Sequence, residues 1–200
     1  MSKITRKKTV KAPVAKAMPA APKKAAKTAI KPAKAAATKA PTKVEAFAIK
    51  VGDKAPAFTL PRDGGGEVSL ASLKGKKLVL FFYPRADTPG CTLEAVAFTR
   101  LKPDFAACDT QVIGVSADPL KAQDKFRDKH ALATPLLSDE TQTMLKAYGA
   151  WGEKSMYGKV FEGVLRTTVL IDTTGKIATV WRNVKVDGHA EAVLDASRLL

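Results

Sequence analysis

The stretch FFYPRADTPGCT, residues 81–92, most restricts what this 200-residue chain can become. The run LVLFFY that ends just before Pro84 has the length and the aromatic and β-branched content of a buried strand. Pro89 and Gly90 break the extended path, and LEAVAF from Leu93 opens a helical period. A strand that feeds a helix through this turn puts Cys91 in the helix's first turn. There the unpaired backbone N–H groups and the positive end of the helix dipole favour the thiolate, the nucleophilic form of cysteine.

Charge divides the chain near residue 45. Residues 1–44 hold thirteen Lys/Arg, no Asp or Glu and no aromatic residue, whereas the remaining 156 residues hold 21 basic and 19 acidic ones. The +15 of the chain therefore resides almost entirely in a tail of Lys, Ala, Pro and Thr. Such a composition buries too little apolar surface to offset the entropy of ordering, and Pro13, Pro19, Pro22, Pro32 and Pro41 interrupt any long helix. Residues 1–44 are expected to be a disordered basic tail, and residues 45–200 a single domain with its own core. The tail lacks the apolar stretch of an export signal, and no run approaches the roughly 18 apolar residues of a membrane span. Two cysteines without an export signal suit a reducing, cytoplasmic compartment, where a cysteine at a helix start is more readily catalytic than structural.

From residue 47 to 73 the pieces AFTL and EVSL flank Gly64-Gly65-Gly66 and predict an N-terminal hairpin. Strands and helices then alternate. LVLFFY, a helix from Cys91, QVIGVSA, a helix from Pro119 to about His130, PLL and a helix from about Glu140 to Tyr148 predict a sheet with helices on both faces. Asp118 before Pro119, and Asp139 with Gln142, look like helix caps. VLRTTVLID and KIATVWR, joined at Gly175, predict a second hairpin, and a helix from about His189 to Leu199 closes the domain. His130 and His189 lie in charged or loop settings and are expected at the surface.

The stretch around Cys91 resembles the peroxiredoxins of the bacterioferritin-comigratory-protein, or Prx Q, type. Pro84, Thr88 and Cys91 fall on that family's Pro-x-x-x-Thr-x-x-Cys pattern. VIGVSAD (112–118), PLLSD (135–139), YGAWGEKSMYGK (148–159) and LRTTVLID (165–172) extend the resemblance over roughly residues 46–200. It implies an α/β, thioredoxin-like fold with a central mixed sheet. It also implies a thiol peroxidase that reduces hydrogen peroxide and organic hydroperoxides through a Cys91 sulfenic acid, with thioredoxin or another thiol as reductant.

By the same resemblance Arg166 stabilises the thiolate and aligns the peroxide, Thr88 offers its hydroxyl, and Pro84 shields the site. Arg166 also has a plainer reading as a salt bridge at a sheet edge, Thr88 as an N-cap and Pro84 as a strand terminator. No metal or organic cofactor is expected. Many members carry a second cysteine five residues after the first, where this chain has Val96. Cys108 is the other thiol, and seventeen helical residues would separate it from Cys91 by about 25 Å. A disulfide needs Cα atoms within about 7 Å, so a one-cysteine cycle is expected, with Cys108 structural.

Two other functions compete with this one. A thioredoxin-type oxidoreductase needs Cys-x-x-Cys, and the fourth position here is Glu94. The tail resembles linker-histone tails in composition, and its charge suits DNA binding without sequence preference and nucleoid association in addition to peroxidase activity; its plainer reading is a solvated tail or a targeting segment.

Overall fold

The computed structural model describes residues 49–156 and 159–200; the basic tail expected over 1–44 lies outside them. In chain order the elements are β1 (Thr59–Pro61), β2 (Glu67–Ser69), β3 (Lys77–Phe82), α1 (Pro89–Ala107), β4 (Thr110–Ser116), α2 (Leu120–His130) and β5 (Leu136–Ser138). They continue with α3 (Thr143–Ala147), β6 (Trp151–Met156), β7 (Lys159–Val164), β8 (Thr167–Ile171), β9 (Ile177–Arg182) and α4 (His189–Arg198). The N-terminal hairpin forms as expected: β1 and β2 pair antiparallel across three glycines, all at positive φ, which glycine alone adopts freely.

The central sheet runs β5-β4-β3-β8-β9, parallel from β5 to β3 and antiparallel from β3 to β9. β3 is the middle strand, and its alternating side chains feed two cores. Leu78, Leu80 and Phe82 join Phe58, Met144, Leu145 and Tyr148 on one face. Val79, Phe81 and Tyr83 join Cys91, Phe98 and Phe105 of α1, Phe126 of α2, and Val193 and Leu194 of α4 on the other. A strand covered on both sides has no polar face, which is why LVLFFY reads as a continuous apolar run.

Several boundaries differ from the sequence reading. Pro103 does not shorten α1, which runs unbroken from Pro89 to its C-cap, Cys108. Asp118 does not cap α2, because its carboxylate faces Ser116 and the Ala86 amide instead. α3 starts only at Thr143, since Gln142 sits at φ 60; no capping box forms, although Asp139 accepts from the amides of Thr143 and Leu145. VLRTTVLID is not one strand. Its first residue ends β7, which pairs only with β6, while β8 joins the central sheet, leaving Leu165 and Arg166 between two sheets.

His189 is not a surface residue. The sequence HAEAVLDASR places His189, Ala190, Val193, Leu194 and Ser197 on one buried stripe of α4. Its Nε2 lies 2.8 Å from Thr168 Oγ1, with the rings of Phe98 and Trp181 edge-on to it. Burial, reinforced by the Arg166 charge, lowers its pKa to about 4, so the imidazole is neutral near pH 7. His130 keeps a partly exposed side chain, paired with Asp87.

β3 and β4 approach closely at Gly114, opposite Phe81 in register. A Cβ there would stand 2.6 Å from Phe81 Cζ and 2.9 Å from Leu136 Cδ2, both fully buried. Gly114→Ala is expected to lower stability by about 1–3 kcal/mol through overpacking, measured by urea denaturation.

Candidate active site

The antiparallel register of β3 and β8 places the site. Thr167 pairs with Phe82, so Arg166 lies beside the point where β3 ends and the chain turns toward α1. Tyr83 makes the last ladder bond, from its N–H to the Val115 carbonyl, and Pro84 has no N–H with which to continue. The carboxyl ends of β3 and β4 and the start of β8 therefore lie at one end of the sheet, the usual position for a site on an open α/β sheet.

Thr88 is the N-cap of α1 by position, with extended backbone, but its side chain makes no capping bond. Its hydroxyl donates instead to the Arg85 carbonyl at 3.0 Å and closes the turn. Pro89 at the first helical position lacks the N–H that would be unpaired there. Cys91 follows in the first turn and is 1% exposed. The guanidinium of Arg166 spans two partners: Nη2 donates to Cys91 Sγ at 3.2 Å, and Nη1 bonds Glu94 Oε2.

Glu94 is the residue that sequence reasoning passed over except as a missing cysteine. It is three positions after Cys91, on the same side of α1, and that spacing was the available signal. Its side chain is buried, and Oε1 has no hydrogen-bond partner among the described residues. Burial lifts its pKa to about 7 despite the opposing charge and hydrogen bond of Arg166. Burial also works against the charge of Arg166, but its interactions with Glu94 and Cys91 outweigh it and hold the guanidinium's pKa above its ordinary value. A second cation, Lys154 of β6, stands close enough to feel the site. Burial lowers its pKa, the Arg166 charge lowers it further, and Cys91 opposes both.

Cys108 caps the far end of α1, with its Sγ against the Phe105 carbonyl and the hydroxyls of Thr110 and Ser197. Val96 is 42% exposed on α1. Among the described residues no three His, Cys, Asp or Glu side chains gather to hold a metal ion, and no helix is long and apolar enough to cross a membrane.

The model of the AhpC/TSA family matches residues 51–180. The chain is a peroxiredoxin of that family. A putative peroxiredoxin Bcp of Coxiella burnetii is 47% identical over 148 residues, 74% of this chain and 98% of that protein. Peroxiredoxin Bcp of Bacillus subtilis is 42% identical over 146 residues, covering 73% and 93%. The solved structure of the Xanthomonas campestris bacterioferritin comigratory protein, described for its alkyl peroxide reduction activity, aligns with a TM-score of 0.68 at 39% identity, covering 71% of this chain and 90% of that one. The peroxiredoxin is thus a thiol peroxidase of the Bcp type, with a thioredoxin-like fold.

The raised pKa of Glu94 has a signed consequence. Between about pH 4.5 and 7 the folded peroxiredoxin holds a proton that the unfolded chain releases, so this group makes stability fall as pH rises through that window. Denaturation of the parent and of Glu94→Gln from pH 5 to 7.5 should show a loss on the order of 1–3 kcal/mol in the parent that the variant lacks.

Proposed function

We propose that Cys91 is the nucleophile with which this peroxiredoxin reduces hydrogen peroxide and organic hydroperoxides, the latter by analogy with the alkyl peroxide reduction of the Xanthomonas relative. The single observation that carries this reading is the 3.2 Å hydrogen bond from Arg166 to Cys91 Sγ. Arginine stays charged at any working pH, so the bond favours a thiolate acceptor, and the helix N-terminus acts in the same sense. Sγ attacks one peroxide oxygen in line and the O–O bond breaks. The departing oxygen takes a proton, leaving Cys91 sulfenic acid and water or an alcohol.

Arg166, already fixed by Glu94, presents further donors to the oxygens as charge moves between them. The Thr88 hydroxyl turns from the Arg85 carbonyl to the peroxide, and Pro84 closes the site on the sheet side. With Val96 in the position of a helical partner thiol and Cys108 at the other end of a 19-residue helix, an external thiol such as thioredoxin returns the sulfenate to the thiol.

Residues 45–200 carry this chemistry, in the cytoplasm on our reading. The thirteen unopposed positive charges of residues 1–44 support a second role, sequence-independent attachment to DNA and hence to the nucleoid.

Cys91→Ser should abolish peroxide consumption with circular dichroism unchanged, and Cys108→Ser should keep near-parent rates with dithiothreitol as reductant. Arg166→Met should be slowed at least tenfold, about 1.4 kcal/mol of transition-state stabilisation. Mass spectrometry that found a Cys91–Cys108 disulfide as the main peroxide product would replace the one-cysteine cycle.

For the tail, the full chain should retard duplex DNA at low salt and lose that affinity steeply between about 50 and 200 mM, whereas a chain beginning at Val44 should not retard it. Equal retardation by both would move the basic site into the folded domain.

A further inference from the structure

The segment Pro84–Thr88 has no ladder or helix of its own, yet it decides where α1 begins and so where Cys91 stands. It is fastened at two points by the chain that follows β4. At the first, Asp118 Oδ2 accepts the Ala86 N–H at 2.7 Å. The same oxygen accepts the Ser116 hydroxyl at 2.8 Å, and the Asp118 N–H donates back to Ser116 Oγ at 3.1 Å. Ser138 Oγ donates to the Asp118 carbonyl at 2.6 Å, so backbone and side chain of Asp118 are both held.

Ser116 is the centre of a fully buried polar knot. Its Oγ also accepts Gln123 Nε2 at 2.8 Å; the other proton of that amide goes to the Leu137 carbonyl at 3.1 Å, and Gln123 Oε1 accepts the Tyr83 hydroxyl. Tyr83, Ser116 and Gln123 are each 0% exposed. The Ser116 hydroxyl thus uses its one proton and both its acceptor sites, so a carboxylate, or another acceptor in the same place, is what completes the arrangement. The Tyr83 proton is committed to Gln123. Residues 83 and 86, on either side of Pro84 and Arg85, are tied to the same knot.

At the second point Asp87, held at φ 58, receives Lys129 Nζ at 2.9 and 2.7 Å and faces His130 Nε2 at 2.7 Å. That pair is solvent-exposed, so its contribution is small. The Asp118 bond is charge-assisted and rests on buried partners, and it is the stronger hold.

We infer that Asp118 is a positioning residue for Cys91: through the Ala86 amide it sets the path of Pro84–Thr88, and with it the placement of Sγ against the Arg166 fork. This rests on Cys91 being the nucleophile. The role is one of geometry, because Asp118 makes no hydrogen bond or ion pair with Cys91 or Arg166 among the described residues. A displacement of about 1 Å at a reacting centre is enough for a hundredfold loss of rate, so one lost bond at Ala86 is sufficient to be seen.

The test reads the thiol directly, by single-turnover oxidation with hydrogen peroxide and by iodoacetamide alkylation against pH, in the Cys108→Ser background so that Cys91 alone reports. Asp118→Ala should slow oxidation at least tenfold and move alkylation to higher pH. Asp118→Asn, whose amide oxygen can accept from both Ala86 and Ser116, should recover to within about threefold of the parent. In the parent, the Ala86 amide should exchange with deuterium at least a hundredfold more slowly than an open amide, a measurement that needs no variant to fold. Parent-like oxidation and alkylation in Asp118→Ala, an Asp118→Asn no better than Asp118→Ala, or a freely exchanging Ala86 amide would each overturn the inference. If Cys91→Ser kept its peroxidase activity, the nucleophile reading itself would fail, a result separate from any of these.

Discussion

The site depends on a partly buried cation with two buried partners. Arg166 lies between Glu94 and Cys91 with only 16% of its side chain exposed, and a guanidinium with so little access to water needs its donors met by strongly accepting groups. Glu94 serves as a fixed anchor and Cys91 Sγ as the second acceptor. The planar fork of arginine can bond both in a defined geometry, which the point charge of a lysine would not do. A carboxylate three residues along the same helix also locks the orientation of the guanidinium to that of α1, so cation and sulfur are held by one rigid element.

That arrangement carries an internal opposition. The charge of Arg166 that favours anionic partners is shared, and burial pushes Glu94 toward its protonated form with a pKa of about 7. Near neutral pH the negative charge competing for Arg166 therefore varies. His189 sits behind the same region as a neutral ring, its protonation suppressed by burial and by Arg166. Lys154 adds a second cation, its pKa lowered by burial and by the Arg166 charge. The electrostatics of the site are set by a few groups on α1, β6, α4 and the β7–β8 junction.

The sheet makes this possible by where its strands end. β3 delivers the Cys91 loop, β4 delivers Ser116 and Asp118, and the antiparallel β8 begins just after Arg166, all at one end of the sheet. Had LRTTVLID been one uninterrupted strand with the residues before it, Arg166 would have pointed from a ladder. The break at Leu165, whose N–H bonds the Ala150 carbonyl, leaves the next residue outside both sheets, where it reaches Cys91 and Glu94.

Much of this was legible in the chain itself. Pro84, Pro89 and Gly90 are punctuation with local steric causes, so the strand, the turn and the helix start at Cys91 could be read before any contact was known. The alternation of apolar runs and the glycine turns likewise specify the β1–β2 and β8–β9 hairpins and the order of the helices, because each follows from the backbone of a few neighbouring residues, whereas the β6–β7 hairpin was not read from the sequence. What only the tertiary structure decided are the pairings between distant residues. Asp118 reads locally as a cap, yet Ala86, 32 residues earlier, claims its carboxylate. His189 reads as a surface residue, yet α4 turns it into the core, and Glu94 reads only as the place where a Cys-x-x-Cys pattern fails until Arg166, 72 positions later, reaches it. Local signals act through covalent and steric restrictions that any segment carries with it. The partner of a buried charge is chosen by strand register and helix docking, which no short stretch contains.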